Sequence, residues 1–201
     1  VDIGCGMRAV NTGVRYDREQ MGKAFWRSWA GQVTRDVPTG FSVHKTSQGL
    51  GNLERRLRAS ALQPLIAQKA AVQLGTLGGG NHFLEVGRVT AIYDYDAAEA
   101  FGLREDQITV LIHCGSRGLG HQVCTDYVRD FQGVMQRHNI VLPDRELVCA
   151  PLDTAEGRAY LGAMQAAANF AFANRQVLAM LVRESFDTVF ANTGIASQLR
   201  Q

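Results

Sequence analysis

The sequence predicts a mixed α/β (α+β) fold, with mixed sheets flanked by helices. Three observations carry that expectation. Short apolar runs such as Gln107 to His113 read as buried strands. They alternate along the chain with segments whose apolar residues recur at helical spacing, among them Met21, Phe25 and Trp29. Capping pairs and glycine stops punctuate the alternation.

The elements follow in order. Val1 to Thr12 reads as a strand broken by a turn at Gly4-Cys5-Gly6. Asp17, with Gln20 three residues on, is the capping box expected to open a helix whose buried face holds Met21, Ala24, Phe25 and Trp29. The stretch from Val37 to Gly51 is polar and reads as loop. Leu53, Leu57 and Leu62 suggest a shorter helix ending near Pro64. A glycine run from Gly75 to Gly80 precedes a strand expected over Phe83 to Val89. Asp96 and Glu99 form a second capping box, and Gly102 is placed to stop that helix. The strand at Gln107 to His113 runs into a glycine-rich turn, then a helix with Val123, Tyr127, Phe131 and Val134 on one face. Asp153 and Glu156 make a third capping box, opening an alanine-rich helical segment that extends to about Phe190 as one helix or two.

Composition is that of an ordinary globular protein. In 201 residues, 46% are hydrophobic and the formal net charge is +2, which neither demands nor excludes a nucleic-acid partner. No apolar run approaches the ~20 residues that span a bilayer, and no signal peptide is visible. Cys5, Cys114, Cys124 and Cys149 form no CxxC pair, so reduced thiols in a cytoplasmic protein are the expectation. Val1 stands directly before a site motif, which leads to the expectation of a fragment whose upstream strands are missing.

Three glycine-rich motifs carry the chemistry. In Asp2-Ile-Gly-Cys5-Gly, a turn at Gly4 can bring a carboxylate and a thiolate to one cation. In Gly78-Gly-Gly-Asn81-His82-Phe-Leu-Glu85, three glycines in a row point to close approach of backbone to a ligand such as a phosphate. In His113-Cys-Gly-Ser116-Arg117-Gly-Leu-Gly-His121, a strand, a glycine turn and a helix start make a physical recipe for anion binding, with Arg117 able to grip phosphate through two bonds. Each motif also has a plain structural reading: an Asp turn beside a buried cysteine, a hairpin with a surface histidine, a satisfied core histidine. Together Asp2, Cys5, His82 and His113 offer O, S, N and N donors, a set that zinc, iron, cobalt or manganese would accept. Beside the phosphate-type loops, that set points to metal-assisted chemistry on a phosphate.

Val1 to Gly6, Gly75 to Glu85 and His113 to Val123 resemble, in order, the signature blocks of RtcB RNA ligases, and Ala150 to Arg175 is similar to the same family. The likeness covers nearly the whole chain, with a mild departure at Cys114, where a small polar residue is usual. The resemblance implies the central metal- and nucleotide-binding part of one RtcB-like catalytic domain over residues 1–201, with N- and C-terminal parts of that domain absent. It implies a ligase that uses GTP and two Mn²⁺ ions to join RNA 3′-phosphate or 2′,3′-cyclic-phosphate ends to 5′-hydroxyl ends. In such a ligase a histidine is guanylylated, GMP passes to the RNA 3′-phosphate, and the 5′-hydroxyl then displaces it. Asp2, Cys5 and His82 would hold one ion, and Cys5 with His113 the other. Asn81, His82 and Glu85 would meet the nucleotide, and Ser116 and Arg117 RNA or phosphate. tRNA halves are the implied substrate and an archease-like activator a possible partner. The resemblance also implies that no catalytic nucleophile lies within this chain. The family's nucleophilic histidine stands in a Cys-His-Gly-Ala-Gly-Arg block, which neither His44 nor His138 matches, and His121, near the glycine-rich loops, is the one candidate substitute. The rival readings are a metal-dependent phosphoesterase or nuclease, which would need no nucleotide, and a non-catalytic RNA- or nucleotide-binding module.

Overall fold

A computed structural model describes residues 2–46, 64–144 and 147–193. In chain order its elements are β1 (Gly6–Arg15), α1 (Lys23–Asp36), α2 (Pro64–Gln73), β2 (Phe83–Arg88), α3 (Tyr95–Phe101), β3 (Gln107–Cys114), α4 (Arg117–Arg137) and α5 (Ala155–Thr193). Mixed α/β is therefore the class. The chain forms two compact units, each built from three segments: Val1–Cys5, His44–Leu74 and Gly115–Asn174 in the first, and Gly6–Val43, Gly75–Cys114 and Arg175–Gln201 in the second.

The second unit holds an antiparallel sheet in the order β1-β3-β2, so β3 is central. Strand alternation divides it cleanly. Ile108, Val110, Ile112 and Cys114 point into the core, where each is at most 2% exposed. Full burial of such an aliphatic side chain is worth roughly 1.5–3 kcal/mol, which ties the register firmly to this face. The core is completed by Phe25 and Trp29 of α1 and by Leu178, Val182, Phe186 and Phe190 of α5. Trp29 stacks on Phe186 at 4.9 Å between ring centroids, and Phe25 lies 5.4 Å from Phe190. Leu111 and His113 take the opposite face of β3. In register, Met7 and Phe83 flank His113 on either side, and Glu85 flanks Leu111.

The first unit is helical. Phe131 of α4 lies 5.5 Å from the Tyr160 ring of α5, and Tyr127 lies 5.1 Å from it. Desolvation pushes the Tyr127 hydroxyl above its usual pKa, reinforced by Asp130 and Asp126. Arg137 pairs with Glu156 at the surface. Ala163, Ala166, Ala167 and Ala171 are buried along α5, a small-residue stripe that lets backbone come close. Gly4 uses it: a Cβ there would stand 2.9 Å from the Ala171 Cβ and 3.0 Å from the Ala168 Cα.

Several helix starts differ from the sequence expectation. The Asp17 carboxylate does accept from the N–H groups of Glu19 and Gln20, at 2.8 and 3.1 Å, but it closes only a turn. Gly22 then runs extended (ψ −174°), and α1 begins at Lys23. Asp94, not Asp96, caps α3, accepting from the Ala97 N–H at 2.9 Å; Gly102 ends that helix in the left-handed region as expected. Thr154, not Asp153, caps α5: its hydroxyl accepts from the Gly157 N–H and donates to the Pro151 carbonyl. Pro64 stands first in α2, a position where its missing N–H costs nothing. Leu53, Leu57 and Leu62 lie outside the described residues. The alanine-rich segment is one 39-residue helix. Among the described residues no helix is long and apolar enough to cross a membrane.

Candidate metal centre

Asp2 and Cys5 sit on one tight turn of the first unit. The Cys5 N–H reaches back to the Asp2 carbonyl at 3.1 Å, and Gly4 supplies the positive φ (+74°) that the turn requires. A carboxylate oxygen of Asp2 and the Cys5 sulfur thereby lie within 4.8 Å of each other. Two ligands of one cation, bonded at ~2.1 and ~2.3 Å, stand at most about 4.4 Å apart, so this pair needs little adjustment to share an ion. The Asp2 Oδ1 accepts two hydrogen bonds from Ser116, one from its N–H and one from its hydroxyl, both at 2.8 Å.

Those bonds revise the reading of the third motif. The start of α4 does gather N–H donors, but the Ser116 N–H is engaged by Asp2 and the Gly118 N–H by the Gln73 side-chain oxygen at 3.1 Å. Ser116 is fully buried. The carboxylate of Asp2 thus takes up one of the N–H groups at this helix start. Arg117, half-buried, begins α4 with φ +55°, a conformation that costs a non-glycine residue on the order of 1–2 kcal/mol and that concentrates at functional positions.

His82 and His113 belong to the second unit. The glycine run before His82 folds against residues 38–40, with the Gly40 N–H on the Gly78 carbonyl at 2.8 Å and the Leu77 N–H on the Pro38 carbonyl at 2.9 Å. This sets the Leu77 carbonyl 3.0 Å from Nδ1 of His82. A carbonyl only accepts, so Nδ1 donates to it, and in the neutral ring this leaves the lone pair on Nε2. The buried Cys114 thiol donates to the same carbonyl at 3.2 Å and lies 3.8 Å from Nδ1; here the departure at Cys114 packs behind the histidine. The His82 and His113 rings meet edge to face at 5.7 Å between centroids, and Phe83 meets His113 likewise at 5.5 Å. Asn81 is exposed in the turn. Glu85, exposed on β2, shares the face of Phe83 and His113.

The other histidines stand elsewhere. His121 is exposed on α4, His138 ends that helix, and the His44 N–H bonds the Val72 carbonyl. Two structurally prominent residues had no assigned role. Asn174, fully buried, donates to the Gly115 carbonyl at 3.2 Å, and Arg175, 5% exposed, donates to the Cys114 carbonyl at 2.7 Å. A polar pair on an otherwise apolar helix stripe is the signal that marks them.

The family model described as tRNA-splicing ligase RtcB matches residues 1–200. A tRNA-splicing ligase RtcB of Thermococcus kodakarensis is 39% identical over 220 residues, covering 94% of this chain and 45% of the relative. An RNA-splicing ligase RtcB of Mycobacterium bovis is 39% identical over 216 residues, covering 92% and 50%. A tRNA-splicing ligase RtcB of Methanocaldococcus jannaschii is 51% identical over 132 residues, covering 66% and 14%. The chain thus spans at most about half the length of these relatives.

Proposed function

The chain belongs to the tRNA-splicing ligase RtcB family, and from that premise we propose that residues 1–201 form the central metal- and nucleotide-binding part of one RNA-ligase catalytic domain. Its ligands for divalent metal are Asp2, Cys5, His82 and His113. Asn81 and Glu85 meet the guanine nucleotide together with His82, and Arg117 holds an RNA or phosphate oxygen. The ions are Mn²⁺, two in the complete enzyme. They supply positive charge that neutralises phosphate oxygens and orients the reacting ends.

One observation carries the metal reading. The Asp2 Oδ1 accepts from Ser116, and Nδ1 of His82 meets the Leu77 carbonyl. Outer partners of this kind, which fix a ligand's tautomer and orientation, are what metal-binding carboxylates and imidazoles require. The donor set admits manganese through its carboxylate, whereas its thiolate and imidazoles hold zinc or cobalt more tightly, so the choice of Mn²⁺ rests on the family resemblance.

The reaction proposed is GTP-dependent joining of a 3′-phosphate or 2′,3′-cyclic-phosphate RNA end to a 5′-hydroxyl end through a guanylylated histidine that is not among these residues. The substrate class is tRNA halves, in a cytoplasmic setting, with an archease-like activator as partner. The test is incubation with Mn²⁺, α-labelled GTP and an RNA pair bearing those ends. The 201-residue chain should take up no covalent label. A polypeptide extended through the family's downstream histidine blocks should become labelled and seal the RNA. Label on the short chain that disappears in His121→Ala would contradict the reading, and RNA cleavage without nucleotide would favour a nuclease.

A further inference from the structure

We infer that Ser116 is the positioning residue of the Asp2 carboxylate, and that glycine stands at 115 and 120 to let this pair close. The inference rests on the metal reading above and extends it to residues that the motif alone would place on phosphate.

The geometry is specific. Both donors of Ser116 converge on one oxygen of Asp2, Oδ1, at 2.8 Å each. Charge-assisted bonds of this kind are roughly twice as strong as neutral ones, and the hydroxyl that makes one of them is fully buried. A hydroxyl committed in this way is not a donor for an incoming phosphate. Its action runs through Asp2.

The two glycines make the pairing possible by their lack of a side chain. A Cβ on Gly115 would fall 2.2 Å from Oδ2 and 2.4 Å from Cγ of Asp2. A Cβ on Gly120 would fall 1.9 Å from the Ser116 Oγ and 3.2 Å from the Ile3 N. Neither glycine has a positive φ, so backbone conformation does not demand them. Space does: the first makes room for the carboxylate and the second for the hydroxyl that holds it. Gly4, nested against Ala168 and Ala171, holds the loop carrying Asp2 at a further point. The carboxylate is thus presented in a fixed orientation before any cation arrives, and less ordering is left to be done on binding.

The test is Mn²⁺ affinity of this chain, read from the loss of the free-ion electron paramagnetic resonance signal on titration. The variants are Ser116→Ala, Gly120→Ala, Asp2→Asn and the double variant Asp2→Asn with Ser116→Ala. Thermal melting without metal reports folding separately. Loss of an outer-shell partner commonly costs ~10–100-fold in metal affinity. Ser116→Ala should therefore bind Mn²⁺ at least about tenfold more weakly, and Gly120→Ala, which keeps the serine but pushes on its hydroxyl, should weaken binding in the same direction. In the Asp2→Asn background, Ser116→Ala should cost no more than about twofold further, the signature of two residues acting as one. Mn²⁺ affinity of Ser116→Ala within about twofold of wild type, beside a clear loss in Asp2→Asn, would overturn the inference while leaving Asp2 a ligand. A further tenfold loss on adding Ser116→Ala to Asp2→Asn would overturn it too, by placing the serine's effect elsewhere. Unchanged affinity in Asp2→Asn would instead remove the metal reading, and the inference with it. Should Ser116→Ala not fold, Gly120→Ala in both backgrounds decides the matter by the same criteria.

Discussion

Replacing Arg175 by methionine should lower stability far more than removing an arginine from a surface ion pair. Arg175 is 5% exposed, and its Nη1 donates to the Cys114 carbonyl at 2.7 Å, where β3 ends. Methionine keeps the apolar stem and deletes the charge-assisted bond. Such bonds contribute roughly 1.5–3 kcal/mol, and burial leaves little solvent screening to discount. For a chain of this size each kcal/mol moves the melting temperature by about 2–4 °C. Arg175→Met should therefore melt about 3–12 °C below wild type. The control is Arg137→Met: that arginine pairs with Glu156, but the two side chains are 59% and 41% exposed. Exposed pairs contribute about 0–1 kcal/mol, so its shift should be at most ~4 °C. Circular dichroism melts of both variants, with urea titrations to obtain the free energies, decide the matter. Equal shifts, or an Arg175→Met free energy within ~0.5 kcal/mol of wild type, the range of an ordinary surface change, would refute the reasoning.

Two further predictions concern a helix cap and a turn. Thr154→Ala should cost ~1 kcal/mol, the usual value of a lost cap, and Asp153→Ala less than ~0.5 kcal/mol; urea unfolding of the two variants checks this, and the reverse order would mean the helix is capped differently. The Asp17 carboxyl is held below its ordinary 3.8 chiefly by the Gln20 N–H, with help from the Glu19 N–H and the Gln20 side chain. Because the folded value is the lower one, its contribution to stability is present above the unfolded value and is lost as pH falls through the folded value. A carboxyl titration by NMR should give a midpoint below 3.8, and one at or above it would contradict the turn described here.

What the sequence made legible depended on how local the cause was. Strand β3 ends one residue from where it was read, because Ile108, Val110 and Ile112 alternate and their burial leaves no second register. The Asp2–Cys5 turn was readable from Gly4, since a positive φ is a demand made by four consecutive residues. Helix starts were harder. Asp94 and Asp96, or Asp153 and Thr154, are close enough along the chain that either could cap, and the choice falls to the side chain that faces the second or third N–H. The partners of the residues that support the site were not legible. Ser116 meets Asp2 across 114 residues of sequence, Asn174 meets Gly115 across 59 and Arg175 meets Cys114 across 61. No local pattern encodes a partner at that distance. The same motif that suggested an open anion loop contains the serine that closes it, and only the fold distinguishes the two.

The central claim is a metal centre with a thiolate ligand at Cys5. Cobalt(II) tests it directly, because a cobalt–thiolate bond gives an intense near-ultraviolet charge-transfer band that oxygen and nitrogen ligands do not. Titrating Co²⁺ into this chain should produce that band and saturate. The band should vanish in Cys5→Ser and persist in Cys124→Ser and Cys149→Ser, whose thiols lie on α4 and in the segment before α5. A chain that gives no band, or a Cys5→Ser variant that keeps it undiminished, would contradict the account.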